Sequence, residues 1–319
     1  MKTKFTTKKV NFKIILGVLI AGLITTIPIR FYQLFKIIEP HTGFYSKIDW
    51  SVYTIYTLII AFSITLFLLV RFSQSVPASK PICVKSKPLG IGAIIFAVGI
   101  AYDLVMTISS FVRELINKPN NINVFKYVFK NGMFASIILA ICGLAACIYI
   151  LVFALSYFEG KTTFREYRLL AMMPLFWSMG RMITRFMTKI SFVMVSELLM
   201  ELLMIAFMML FFMAFARVSA QIGQKGEMRK LMSYGLPAAF VAILIGVTRL
   251  VMTLIGKGKF IADGFQFSLA DLGFGIFAII YIIETVKHGR PASEDDLIPE
   301  EDDAIKKENE IDDEFLTEE

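Results

Sequence analysis

Apolar runs of 17 or more residues recur along this chain, and that feature leaves few folds open to it. At about 1.5 Å of rise per residue, such a run can cross a hydrocarbon core of about 30 Å as an α-helix. Eight segments qualify, at roughly 12–37, 50–71, 89–112, 133–157, 169–189, 192–216, 235–256 and 266–286. Helix breakers mark the joints between them: Pro40 and Gly43, Pro77 to Pro88, Lys118-Pro119-Asn120, Gly160, Gly223 to Gly226, and Gly256 with Gly258. No segment has the period-2 alternation of a membrane barrel. The expected fold class is therefore all-α: a polytopic integral membrane protein with about eight transmembrane helices, arranged as four antiparallel hairpins. Composition agrees, because only 18% of residues are charged, against about a quarter in soluble domains.

The first run, from Ile14 to Ile29, follows the basic stretch MKTKFTTKKVNFK. No small-x-small cleavage site follows it, so it reads as an uncleaved first span. Basic residues near the span ends give an orientation. With the N-terminus in the cytoplasm, 18 Lys and Arg fall on the inner side and 13 in the outer half, which by the positive-inside rule places both termini in the cytoplasm of a cell-membrane protein.

Residues 1–290 form the expected transmembrane domain, and 291–319 differ from it in kind. From Pro291 to Glu319 there are 14 acidic residues against Lys306 and Lys307. A segment so poor in apolar surface is expected to be a disordered cytoplasmic tail. Without its charge the body is strongly basic, and anionic lipid headgroups supply the counter-charge, so nucleic acid binding is not implied.

Within this apolar background, SMGRMITRFMTKISFVMVSELLMEL (Ser178 to Leu202) carries Arg181, Arg185, Lys189, Glu197 and Glu201. Three segments align on an arginine near the outer joint of an odd-numbered span: TIPIRFYQLF (Arg30), WSMGRMITRF (Arg181) and IGVTRLVMTL (Arg249). Acid follows each in the next span: Asp49; Glu197 and Glu201; Asp263 and Asp271. The pairs Arg181–Glu201 and Arg185–Glu197 are both centred on Ser191, Arg249–Asp271 on Phe260, and Arg30–Asp49 between Glu39 and Pro40. Residues equidistant from the turn of a helical hairpin lie at one depth, and i, i+4 spacing puts successive charges on one face. The arrangement predicts ladders of ion pairs across each hairpin, because an unpaired charge at mid-bilayer costs at least about 2.5–3.5 kcal/mol. The third span departs from the pattern: Asp103 stands where an arginine is expected.

Other motifs carry less. Met200, Met204 and Met208 form a stripe that suits Cu(I) thioether ligation, yet 11 of the 17 methionines crowd two spans with no consistent face, so they read as packing. With His41 and His288 the only histidines, and Cys83, Cys142 and Cys147 scattered, neither a metal centre nor a disulfide framework is expected. The GFG in DLGFGIF reads as close helix packing through Gly273 and Gly275. GxSxG, HExxH, P-loop and GxGxxG motifs are absent from the sequence, so neither an enzyme nor a cofactor is expected.

Two functional readings remain. The first is a transporter or permease-like protein whose outer-facing polar cavity is lined by Arg181, Arg185, Arg249, Glu201 and Asp271 and takes a small molecule or an ion. Lacking an ATPase motif, it would be ion-coupled, passive, or paired with another chain. The second is a non-transporting scaffold, sensor or complex subunit whose acidic tail docks a basic cytoplasmic protein.

Overall fold

A computed structural model of the chain describes residues 11–39, 45–47, 49–73, 77, 85–117, 123–130, 133–160, 169–187, 195–220, 226–258, 261 and 267–289. The acidic tail, His41, Cys83, Lys189 and Asp263 lie outside the described residues.

The helices are α1 (Phe12–Lys36), α2 (Trp50–Phe72), α3 (Lys87–Ile116), α4 (Val124–Lys130), α5 (Phe134–Glu159), α6 (Met173–Met187), α7 (Val195–Ser219), α8 (Glu227–Leu254) and α9 (Leu269–His288). A 3-10 turn at Leu170–Met172 leads into α6. Local chemistry sets many of the ends. Asn11, Asp49, Ser86 and Ser268 offer side-chain oxygens to the first turns of α1, α2, α3 and α9, satisfying amide donors that a helix start leaves over. Gly160 closes α5 at φ 77, a left-handed conformation that costs glycine little.

Seven of these helices, all but α4 and α6, are long and apolar enough to cross a membrane. Their outward faces expose Ile24, Ile60, Val98, Ile141 and Leu155, surface that water would not tolerate around a whole bundle. The chain is a multi-pass helical membrane protein. Helix bounds follow the hydropathic runs closely, with two differences. Helix α8 begins eight residues before the expected Gly235, because hydropathy falls at Glu227, Arg229 and Lys230 whereas the helix continues. There Glu227 is paired with Arg217 and Lys230, so its charge is met without ending the helix. The short α4 was not expected; its Phe125 and Phe129 rings stack towards Phe134 at the head of α5.

Helix α8 is central and packs against α7, α9, α2 and α1. Helix α9 then packs on α3, α3 on α5, α5 on α6, and α6 on α7, so six helices close a ring, while the α1–α2 pair leans on α8 from outside. The apolar window of α8 is 78% buried and that of α1 only 22%, as centre and periphery require.

Small residues set the closest crossings. A Cβ on Gly99 would stand 2.7 Å from the Ala270 backbone, and one on Gly273 would stand 3.0 Å from that of Phe96. This contact brings the head of α9 against α3 about 25 Å below the latter's end at Ile116, by 17 residues of rise. The ring is therefore recessed at the end where α3 finishes and α9 begins, called the upper end below. The lower end holds its own charges: Ser86 donates to Glu284 at 2.7 Å, and Lys287 and His288 flank that carboxylate.

Candidate functional site

The intramembrane charges converge on one network near the upper end. Glu197 and Glu201 are one turn apart on α7, both inside the bundle. Glu197 pairs with Arg30 of α1 and with Arg249 of α8, the latter at 3.1 Å. Glu201 pairs with Arg249 at 3.4 Å, Arg185 at 2.7 Å and Arg181 at 3.5 Å. Arg181 also meets Asp271, in the first turn of α9, at 2.5 Å; a carboxylate there is further favoured by the helix dipole. Arg30 donates to Gln33 at 2.9 Å, and Gln33 donates to the Ser51 carbonyl of α2. Five helices (α1, α6, α7, α8 and α9) supply the ion pairs, and α2 is tied in through Gln33.

This topology differs from independent ladders within hairpins. Arg181 does meet Glu201, as the equidistance from Ser191 predicted. Arg185 pairs with Glu201 instead of Glu197, Asp271 pairs with Arg181 instead of Arg249, and Arg30 reaches Glu197 instead of Asp49. Asp49 caps α2, accepting from the Trp50 amide at 2.8 Å, and receives the Tyr32 hydroxyl at 3.4 Å. The cause lies in the ring. The upper ends of α1, α6, α7, α8 and α9 converge, so an arginine's nearest carboxylate need not belong to its own hairpin, and one central glutamate serves three guanidiniums.

Beside this network lies a cavity of about 450 Å³ between α3, α5, α6 and the head of α9. Arg181 and Arg185 form one wall and Asp103 another, with Glu114 among the lining residues two to three turns above Asp103. Arg249, Glu201 and Asp271, expected to line a cavity, are not among its lining residues; they stand behind the arginines and hold them by ion pairs. Side-chain exposure follows this division: 3% for Arg30, 4% for Arg249, 10% for Arg181 and 25% for Arg185. The charges are thus a buried seam at one end and a cavity wall at the other.

Asp103, which broke the arginine pattern, joins the site through α9. Its Oδ2 accepts from the Ser268 hydroxyl at 2.8 Å, and Ser268 in turn accepts from the Asp271 amide at 3.3 Å. Thr107, Ser110 and Glu114 line this wall with Asp103 and were not expected there. Their signal was present, since positions 103, 107, 110 and 114 follow the 4-3-4 spacing of one helical face; reading the helix for charge alone passed over its hydroxyls.

Beneath the cavity the bundle is sealed by rings. Trp177 lies one turn below Arg181, whose guanidinium sits over the indole at 5.2 Å. Phe96 contacts Trp177, Phe212, Phe274 and Phe277 at centroid distances of 5.6 to 5.9 Å, and Phe153, Phe211 and Phe215 extend the cluster. Met200, Met204 and Met208 are buried in the same core.

Comparison with protein-family models, with curated proteins and with solved structures returned no match to this chain.

Proposed function

We propose that this protein is a permease-like protein of the cell membrane that takes a small polar solute into the charged cavity from the extracytoplasmic side. One observation carries the reading: a cavity of about 450 Å³ walled by Asp103, Arg181 and Arg185 inside an apolar bundle. Ionisable groups at membrane depth are costly, and those that persist there commonly mark a path or a ligand site. The ion pairs behind the wall account for the arginines' stability there, and leave unexplained why the wall is open.

In this reading the chain crosses eight times and both termini are cytoplasmic. The eighth crossing is α6 with the 3-10 turn before it: 15 α-helical and three 3-10 residues reach about 28 Å, close to a hydrocarbon core. The excess of basic residues at the lower end favours that end as cytoplasmic. Passage beyond the cavity requires the aromatic seal at Phe96 and Trp177 to part, so the arrangement is one open above and closed below. Translocation, with no bond made or broken, is the proposed activity.

The buried half of the network favours a second reading, a scaffold held in register by ion pairs whose acidic tail docks a basic cytoplasmic protein. Thiol accessibility separates the two. In a chain with Cys83, Cys142 and Cys147 replaced by alanine, Ser136→Cys on the α5 wall should react with a charged, membrane-impermeant thiosulfonate added to intact cells. Val105→Cys, on the outward face of α3, should not. Equal inertness of both would make the cavity dry and favour the scaffold; reaction of Ser136→Cys only in inverted vesicles would reverse the orientation.

A further inference from the structure

Resting on the reading of the cavity as a solute site, we propose that the solute is a zwitterion of the amino-acid type, its ammonium received by Asp103 and its carboxylate turned to Arg181 and Arg185. Among the described residues, four guanidiniums (Arg30, Arg181, Arg185, Arg249) meet three carboxylates (Glu197, Glu201, Asp271) in the ion-pair network. On the facing wall Asp103 makes no ion pair among the described residues; its bond is to Ser268. Guanidiniums on α6, Arg181 and Arg185, and carboxylates on α3, Asp103 and Glu114, therefore line one cavity.

The Asp103 wall retains capacity for a ligand. An ionised carboxylate accepts through two oxygens, and Asp103 engages Oδ2 with Ser268 while Oδ1 has no partner among the described residues. Thr107 spends its hydroxyl proton on the Asp103 carbonyl at 2.8 Å, which leaves its oxygen to accept from an ammonium. Opposite, Arg185 is the most exposed guanidinium of the network, and guanidinium suits a carboxylate by geometry as well as charge. The volume falls within the range of about 300–1,000 Å³ typical of small-molecule sites.

Simple ions fit less well. An inorganic anion would satisfy the arginines and leave Asp103 facing added negative charge; a cation would do the reverse. Discrimination by a mismatched charge is as useful to such a site as attraction by a matched one.

The test uses the cysteine-replaced chain with Ser136→Cys in intact cells. The rate of thiosulfonate labelling is measured with each L-amino acid, and with the two half-molecules of alanine, propionate and ethylamine. At least one amino acid should slow labelling about tenfold or more, and neither half-molecule should do so at the same concentration. Asp103→Asn, which keeps the shape and can still accept from Ser268, should raise the amino-acid concentration needed by about tenfold or more, as loss of one charge-assisted contact does. Protection by propionate alone, or by ethylamine alone, would overturn the zwitterion and leave the solute cavity standing. Ready labelling that no amino acid slows would do the same. Failure of Ser136→Cys to label at all would remove the cavity reading, and this inference with it.

Discussion

Glu201 shows why the worth of a charge here depends on its neighbours. Its carboxylate is fully buried and takes three guanidiniums, so Glu201→Gln strips compensation from all three at once. Breaking a buried pair commonly costs about 3–5 kcal/mol, and the variant should unfold in detergent with a loss of at least that order. Asp49→Ala, by contrast, removes an exposed cap and should cost about 1 kcal/mol. The double exchange Arg181→Glu with Glu201→Arg would restore stability if the two residues formed an isolated pair. In the network it places a carboxylate beside Asp271 and a guanidinium between Arg185 and Arg249. The double variant should therefore be no more stable than the worse single one; recovery of the parent's stability would show that the pairs act independently. That Arg181 meets Glu201 was legible from hairpin spacing. That both also have partners on other helices was not, because equidistance from a turn says nothing about non-consecutive helices.

At the scale of elements, the crossing of α3 and α9 sets the recess that holds the cavity. Gly99 and Gly273 bring the two backbones together, and a methyl group at Gly99 has backbone atoms of Ala270 and Leu269 in its way at 2.7 to 2.8 Å. Gly99→Ala should force the helices apart, lower the melting temperature, and change the labelling rate at Ser136→Cys. Gly17, in the interior of α1, has nothing within 4 Å of its missing Cβ. Gly17→Ala should stabilise by about 0.4–1 kcal/mol through helix propensity and a less flexible unfolded chain. Equal effects of the two substitutions would contradict the close crossing. The packing role of Gly273 and Gly275 was readable from DLGFGIF, but which helix Gly273 meets was not, since a small residue permits close approach without choosing the partner.

For the whole molecule, the ring and its outer helix pair are built from residues that end at Gly289. Residues 291–319 offer few large apolar side chains against 14 acids, too little surface to add to a core. A chain ending at Arg290 should insert and melt within a few degrees of the full chain. A large drop in melting temperature would make the tail part of the fold; loss of function at unchanged stability would point to a docking role, and salt should then weaken that docking, because exposed charge attractions are screened over about 8 Å at physiological ionic strength.

The helical membrane architecture followed from the sequence alone, because hydrocarbon imposes the same demand everywhere: each crossing segment must satisfy its own backbone hydrogen bonds and present apolar side chains over a fixed length. That demand is local and can be read one segment at a time. The sequence also singled out Arg30, Arg181, Arg185, Glu197, Glu201, Arg249, Asp271 and Asp103, which the structure brings into the ion-pair network or the cavity wall, since any charge at such depth stands out against its surroundings. Only the tertiary structure decided which of them are sealed in a seam and which face a cavity. It put Asp103, the exception to the arginine pattern, on the open wall, and Glu201 and Asp271 behind it. Partner choice between distant helices depends on how the ring that includes α8 closes, and that closure is set by the summed packing of six helices, which no single segment encodes.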